Sequence, residues 1–521
     1  MKNYLTIIAL CAVSISAFAQ MNNRPGGKGY TSIKAGDLAR HLHVIASDSM
    51  EGRETSMPGQ KRAARYIADH FKLLGLKPVG DNGTFFQHFD VILTAVDPAG
   101  SFLTIDNTKH AWGDEYFTTS QVESTFTSNA VFLGYADSRI DASYNDRISG
   151  RIAISLLGTR EQLSDTSARA RMMRMFTLRR DDGIFGQLII ADADGPQSFG
   201  FLSERFAGMM RGNMSRADVP PSGRRRGQSG VRAYISSSIG EALLSRVGAS
   251  LSDIRERAAR DSVFTPVFLD DVTITIANAV SKEVRQTENV LGYLEGSDPK
   301  LKEEIVALTA HYDHDGIRSD GTIFYGADDD GSGTVTILEL AEAFTLNEEA
   351  PSRSMLFMTV SGEEKGLLGS GFYADHPVFP LEKTTANLNI DMIGRIGSAY
   401  MPANDSMYVY VIGSDKISTD LDRLLRQAND ETVKLKLDYT YNDNNDPNRF
   451  YYRSDHYNFA KNGVPVVFFF TGTHPDYHRP TDTPDKILYE RMALIGRLVY
   501  STAWKVATLP EGLAKDVSLS K

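Results

Sequence analysis

The chain is expected to fold as an α/β protein, a three-layer sandwich around a mixed, largely parallel sheet. Three observations carry that expectation. From Asn289 onward, apolar strand-like runs alternate with helical stretches, the order that wraps helices around a largely parallel sheet. Between about Ala99 and Ser281 the texture changes to short β-like runs separated by turn residues, which reads as an inserted domain. Polar residues able to hold a metal fall at the ends of the later runs, where open α/β sheets gather their ligands.

The 521 residues exceed one ordinary core, so about two or three domains are expected. Hydrophobic content of 41% and charged content of 23% suit a globular enzyme. A net charge of −10 and a pI of 5.6 argue against a nucleic-acid or polyanion binder. Residues 1–19 combine one early lysine, a short apolar run and Ala17-Phe-Ala19, the pattern of a cleaved signal peptide. Export to the periplasm or outside the cell is therefore expected, and no later run is long and apolar enough to span a membrane. Cys11 is the only cysteine and lies in that leader. The remaining chain has no thiolate, so any metal is held by His, Asp and Glu, which suits a catalytic zinc site.

Residues 32–76 read as helical, with Ala63, Ala64, Ile67, Phe71 and Leu74 at helical spacing and Gly75 as a stop. In the insert, Ala130–Gly134, Ile152–Leu157, Leu188–Ala191 and Val272–Ile276 read as strands. The basic Arg205–Arg232 stretch, with Arg224-Arg-Arg226 and Pro220-Pro221, reads as a solvated, mobile loop. Beyond it, Ile305–Ala310, Met355–Val360, Ala386–Ile390, Met407–Ile412 and Val464–Phe470 read as strands. Thr334–Phe344, Asp420–Ala428 and Leu488–Trp504 read as helices. The expected partition is 20–98 plus 282–510 for the α/β domain, 99–281 for the insert and 511–521 for a tail.

Glu363-Glu364 follows one strand and precedes a glycine-rich turn. Adjacent side chains at a strand end point different ways, so one can hold a metal while its neighbour faces a substrate. Most Glu-Glu pairs are only solvated helix faces; here the company is different. His311-Tyr-Asp313 ends a strand, and Gly326-Ala-Asp-Asp-Asp-Gly-Ser-Gly333 enters a helix. Helix capping accounts for one of its three carboxylates and leaves two without a reason. Asp391 interrupts an apolar run, where an unpaired charge is costly to bury. His474 and His478 follow the apolar strand ending at Phe470. Together these residues provide nitrogen and oxygen ligands for two zinc ions and one spare carboxylate, the makings of a zinc peptidase.

These motifs resemble the co-catalytic di-zinc exopeptidases, the family of bacterial leucyl-type aminopeptidases and glutamate carboxypeptidase. Leu42-His-Val-Ile-Ala-Ser-Asp-Ser-Met-Glu-Gly-Arg53 looks like that family's opening motif, and the insert is similar to a β-rich protease-associated domain. The resemblance implies that His311 and Asp391 bind one zinc, Glu364 and His478 the other, and that Asp329 bridges both. It implies Glu363 as general base, Asp313 as a carboxylate behind His311, and a cis peptide between Asp329 and Asp330. Tyr451 matches a tyrosine that stabilises the tetrahedral intermediate, with Tyr452 and Tyr477 as nearby alternatives. His314 and His474 have no assigned role. The expected activity is an aminopeptidase acting on peptides. A carboxypeptidase of the glutamate carboxypeptidase type is the alternative, with a glutaminyl cyclase or a non-catalytic peptide binder behind it.

Overall fold

The computed structural model describes residues 27–135, 138–157, 183–184, 186–195, 197–210, 212–220 and 231–517. The leader and the Arg224 run lie outside the described residues. The chain forms two units, Met1–Val91 with Arg285–Lys521, and Ile92–Val284.

In chain order the larger unit holds α1 (Ala35–Ile45), α2 (Pro58–Leu73), the end of β1 (Val267–Leu294), β2 (Ile305–His311), α3 (Gly333–Thr345) and β3 (Ser354–Val360). There follow α4 (Leu368–Asp375), β4 (Thr384–Ile390), β5 (Tyr408–Ile412), α5 (Thr419–Glu431), β6 (Lys436–Asp438), α6 (His456–Ala460), β7 (Val466–Phe470) and α7 (Tyr489–Ala507). The strand order is β6-β5-β7-β4-β2-β3-β1. The four central strands β7, β4, β2 and β3 run parallel, while β5 and the end of β1 join antiparallel. Their carboxyl ends therefore open on one edge.

Alternate residues of each strand serve opposite faces. Val306, Leu308 and Ala310 of β2 pack with Ile337 of α3 and Ile495 and Leu498 of α7. Ile305 and Ala307 belong to the other apolar cluster, with Tyr373 of α4 and Phe459 of α6. Helices thus cover both faces, and the sandwich has its three layers.

The segment read as one helical stretch over 32–76 is broken between α1 and α2. Glu51, Gly52 and Arg53 all take positive φ, of 50°, 64° and 52°. A Cβ on Gly52 would sit 2.5 Å from the carbonyl oxygens of Gly316 and Phe324, so only glycine fits. The turn sends the Arg53 guanidinium inward, where it donates to the carbonyls of Tyr312, Ile45, Tyr325 and Gly326 at 2.7–2.9 Å. Packing alone does not account for this stretch: Arg53 ties α1 to the end of β2 and to the loop before α3.

The smaller unit has its own core, including Leu188, Ile190, Val231, Ala233, Leu243 and Ile254. Ile152–Leu156, Gly186–Ile190 and Val231–Ile235 are parallel neighbours, and the helices Ser237–Ser245 and Leu251–Arg260 belong to the same unit. It is thus mixed α/β, with helices beside the strands that a β-rich reading led one to expect. Ile239, Leu243 and Leu244 bury one face of the first of these helices. The units divide at 91/92 and 284/285, while the composition places the joins at 99 and 281. Both divisions fall inside long strands, Phe86–Ile105 and Val267–Leu294, where no turn residue marks them.

Candidate metal centre

Each central strand delivers a polar group where its apolar run stops. His311 is the last residue of β2, Asp391 follows β4 directly, and Glu363-Glu364 lies just beyond β3. Asp329 comes from the loop before α3 and His478 from the loop after β7. His311 Nε2 lies 3.3 Å from Asp329 Oδ1 and 3.7 Å from Asp391 Oδ1. His478 Nε2 lies 3.2 Å from Asp329 Oδ2 and 3.4 Å from Glu364 Oε2. The two oxygens of Asp329 thus face two separate donor sets. Tetrahedral zinc with bonds of about 2.0–2.1 Å spaces neighbouring donor atoms by about 3.3–3.4 Å. The donor set fits two such ions, and Asp329 Oδ2 is buried with no hydrogen-bond donor inside the protein.

The electrostatics carry the same mark. Burial pushes Glu364 up to about 7, and burial with neighbouring carboxylates holds Glu363 well above its usual range. Burial works against a charged His478, yet Asp315, Glu364 and Asp329 outweigh it and push the imidazole up to about 10. The cluster collects protons because it holds more negative charge than its surroundings offset. A divalent cation satisfies the same demand.

The three consecutive aspartates divide their tasks, joined by a cis peptide between Asp329 and Asp330. Asp328 Oδ1 accepts the Gly394 N–H at 2.6 Å, and its other oxygen lies 3.2 Å from His474 Nε2. Asp330 Oδ1 accepts the N–H groups of Gly333 and Met392 at 2.8 and 3.1 Å, and Oδ2 that of His311 at 3.2 Å. Asp330 lies within ligand reach of His311 and Asp391, but both its oxygens are already committed to backbone. Only Asp329 is left for a metal.

Supporting groups fix the remaining donors. Ser454 Oγ donates to Asp391 Oδ2 at 2.7 Å, and Asn389 Nδ2 donates to Ser454 Oγ at 2.8 Å. Thr309 donates to Asn389 Oδ1 at 2.7 Å, and Asn387 Nδ2 to Thr309 at 2.9 Å. His478 Nδ1 meets Asp315 Oδ2 at 2.9 Å, the carboxylate–imidazole pairing that orients a ligating histidine. His314 Nδ1 lies 2.8 Å from Glu364 Oε1; burial lowers this imidazole to about 4, so it is neutral and donates there.

Asp313 stands behind His311 by its backbone: His311 Nδ1 meets the Asp313 carbonyl at 3.1 Å, and the carboxylate is 3.8 Å away. The carboxylate itself accepts the Glu363 N–H at 3.2 Å and the Thr55 hydroxyl at 2.7 Å. Its partner is therefore the backbone of Glu363 rather than the histidine ring. Tyr451 is placed away from the donors. Its ring packs beside His456, Tyr452 and Tyr457, and its buried hydroxyl has no partner within the protein. Tyr477 lines the cleft with His311, Asp329, Glu363 and Asp391, its ring edge-on to His478 at 4.2 Å. Tyr477, carried by the loop after β7, is the tyrosine that lines the cleft, whereas Tyr451 is buried beside His456 and Tyr457 and Tyr452 is exposed. Arg53, Asp315 and Ser454 were not singled out in the sequence. The available signal was Arg53 at the end of the opening motif and the polar residues beside each ligand.

A parallel sheet that gathers two imidazoles and a ring of carboxylates at its strand ends is the framework of a metallopeptidase. Residues 289–503 match the model of Peptidase family M28, and this region of the chain belongs to that family. Aminopeptidase YwaD of Bacillus subtilis (strain 168) is 29% identical over 230 residues, 42% of this chain and 44% of that protein. A probable leucine aminopeptidase of Trichophyton verrucosum is 29% identical over 217 residues, 40% of this chain and 56% of that one. The matched part thus spans about half the length of these relatives. Among solved structures, an aminopeptidase from Aneurinibacillus sp. strain AM-1 shares the fold with a TM-score of 0.53 at 19% identity, over 94% of this chain and 97% of that one. BSAP, a zinc aminopeptidase from Bacillus subtilis, also has a TM-score of 0.53 at 19% identity, over 91% and 95%.

Proposed function

We propose that the protein is a zinc-dependent exopeptidase that removes residues from the amino terminus of peptides, acting after export. His311, Asp329 and Asp391 would hold one ion, and Asp329, Glu364 and His478 the second. The observation that carries this reading is the spare carboxylate. Glu363 lines the cleft beside both donor sets and is needed to complete neither.

Bound zinc supplies Lewis acidity and a water acidified to near neutrality. The chain's residues supply the rest. Glu363 Oε2, 4.0 Å from His311 Nε2, takes the proton of the attacking water and returns it to the leaving amine. Its backbone is held by Asp313, so the carboxylate enters the cleft from a fixed point. Burial and the carboxylates of Asp329 and Glu364 raise the Tyr477 phenol, which stays protonated and donates to the developing oxyanion. Met392, Phe450, Phe468 and Phe470 form an apolar wall that receives a side chain and excludes water. Carboxylates at the floor suit a free α-ammonium, and this supports the amino-terminal reading, as do the relatives named aminopeptidases.

The two adjacent glutamates provide the test. Glu363→Gln is expected to keep two zinc ions and lose about 10²–10⁴-fold in kcat. Glu364→Gln is expected to bind zinc more weakly, with activity partly restored by excess metal. A Glu363→Gln enzyme working at the parental rate, or rescued by zinc, defeats the assignment.

A further inference from the structure

The cleft above the donor cluster is acidic at its floor and apolar on its wall, with one departure. Arg453 is the only guanidinium or ammonium among the described residues that line it. It follows the helical turn Phe450–Tyr452 and directly precedes Ser454, whose hydroxyl holds Asp391. Its guanidinium lies over the Phe450 ring at 4.8 Å, a placement that fixes the plane of the fork. Nη2 donates to the Tyr477 hydroxyl at 3.4 Å, a long bond to a neutral oxygen. No described carboxylate pairs with it, although other arginines near the site are paired, such as Arg395 with Asp476 at 2.9 Å.

A guanidinium with free donors at the mouth of a binding cleft matches the geometry of a carboxylate. We propose that Arg453 selects substrates that carry a carboxylate close to the scissile bond. That group is either the acidic side chain of the terminal residue or the free carboxyl end of a very short peptide. The proposal rests on the peptidase reading above and narrows its substrate class.

Two isosteric pairs separate the sources. Zinc-loaded parent, Arg453→Gln and Arg453→Lys are compared on glutamyl- against glutaminyl-nitroanilide, and on Leu-Gly against Leu-Gly-amide. In the parent, at least one carboxylate-bearing member is expected to lead its neutral twin by about tenfold in kcat/KM, carried by KM. Arg453→Gln brings that ratio close to one, Arg453→Lys restores part of it, and added salt lowers it. A response in the first pair identifies the side chain, and one in the second the chain end. Ratios in the parent that match those of Arg453→Gln for both pairs overturn the role of Arg453 and leave the peptidase intact. A zinc-loaded parent that cleaves none of the four overturns the peptidase reading, and this inference with it.

Discussion

At the scale of single residues, the site separates groups that hold a cation from groups that handle a proton. Tyr477 and Tyr451 give the sharpest contrast. Tyr477→Phe removes a hydroxyl from the cleft, and loss of one oxyanion donor is expected to lower kcat by about 10²–10³-fold with zinc content unchanged. Tyr451→Phe removes a hydroxyl that nothing in the protein pairs with, so its kcat should stay within about twofold of the parent. The reverse ranking in steady-state kinetics restores Tyr451 to the site. Donor residues were legible because chemistry forces them to stand out: Asp391 in an apolar run or Asp329 in a run of aspartates invites an explanation. Tyr477 was harder to place, since which of three tyrosines reaches the donors depends on the path of a loop, and no periodicity reports that.

Among the elements, the contact of α1, α2 and α3 contains a buried polar group remote from the donors. His41 of α1 and Glu339 of α3 are each 1% exposed, with His41 Nε2 and Glu339 Oε1 3.8 Å apart, and His41 Nδ1 meets the Tyr66 hydroxyl at 2.7 Å. Burial, reinforced by Glu342 and Asp37, raises Glu339 to about 8; burial also lowers His41 to about 4. Between pH 4.5 and 6.5 the two effects oppose. The unfolded chain binds a proton that folded His41 refuses, and folded Glu339 keeps one that the unfolded chain releases. Above pH 6.5 only Glu339 of this pair still differs, so its contribution to stability falls as pH rises toward 8, by about 1.5 kcal/mol over that interval. Glu339→Gln is expected to flatten this decline in denaturant titrations at pH 6.5 and 8. An equally steep decline in the variant removes Glu339 as its source. None of this is visible as a motif, because His41, Tyr66 and Glu339 are distant in sequence and meet only when three helices pack.

For the whole molecule, the α/β alternation from Asn289 onward announced the sheet, and the parallel order places its strand ends together as the alternation requires. The helices of the smaller unit escaped notice because short amphipathic stretches between strands resemble turns in composition. Metal is expected to act on one unit alone. The groups of three or more donors found among the described residues all lie in the larger unit. Free zinc at about 100 times its dissociation constant adds about 2.7 kcal/mol to whatever unit binds it. Amide exchange should slow at the ends of β2, β3 and β4 when zinc is returned to stripped protein, and remain unchanged in Ile152–Leu156. Equal slowing in both places contradicts that division.

The chain of hydrogen bonds from Asn387 through Thr309, Asn389 and Ser454 has a direction. Each member gives its proton to the next, and the sequence of gifts terminates on the anion Asp391. A hydroxyl has a single proton to give, so Thr309 and Ser454 cannot turn without leaving a neighbour unsatisfied, and the whole row behaves as a vector aimed at one ligand. Asn389→Asp exchanges one nitrogen for an oxygen yet reverses part of that vector, since a carboxylate accepts from both sides. Ser454 would then turn its proton toward residue 389 and away from Asp391. The expected result is weaker retention of the ion shared by His311 and Asp391, seen as about one zinc per chain after dialysis, in a protein whose secondary structure by circular dichroism is that of the parent.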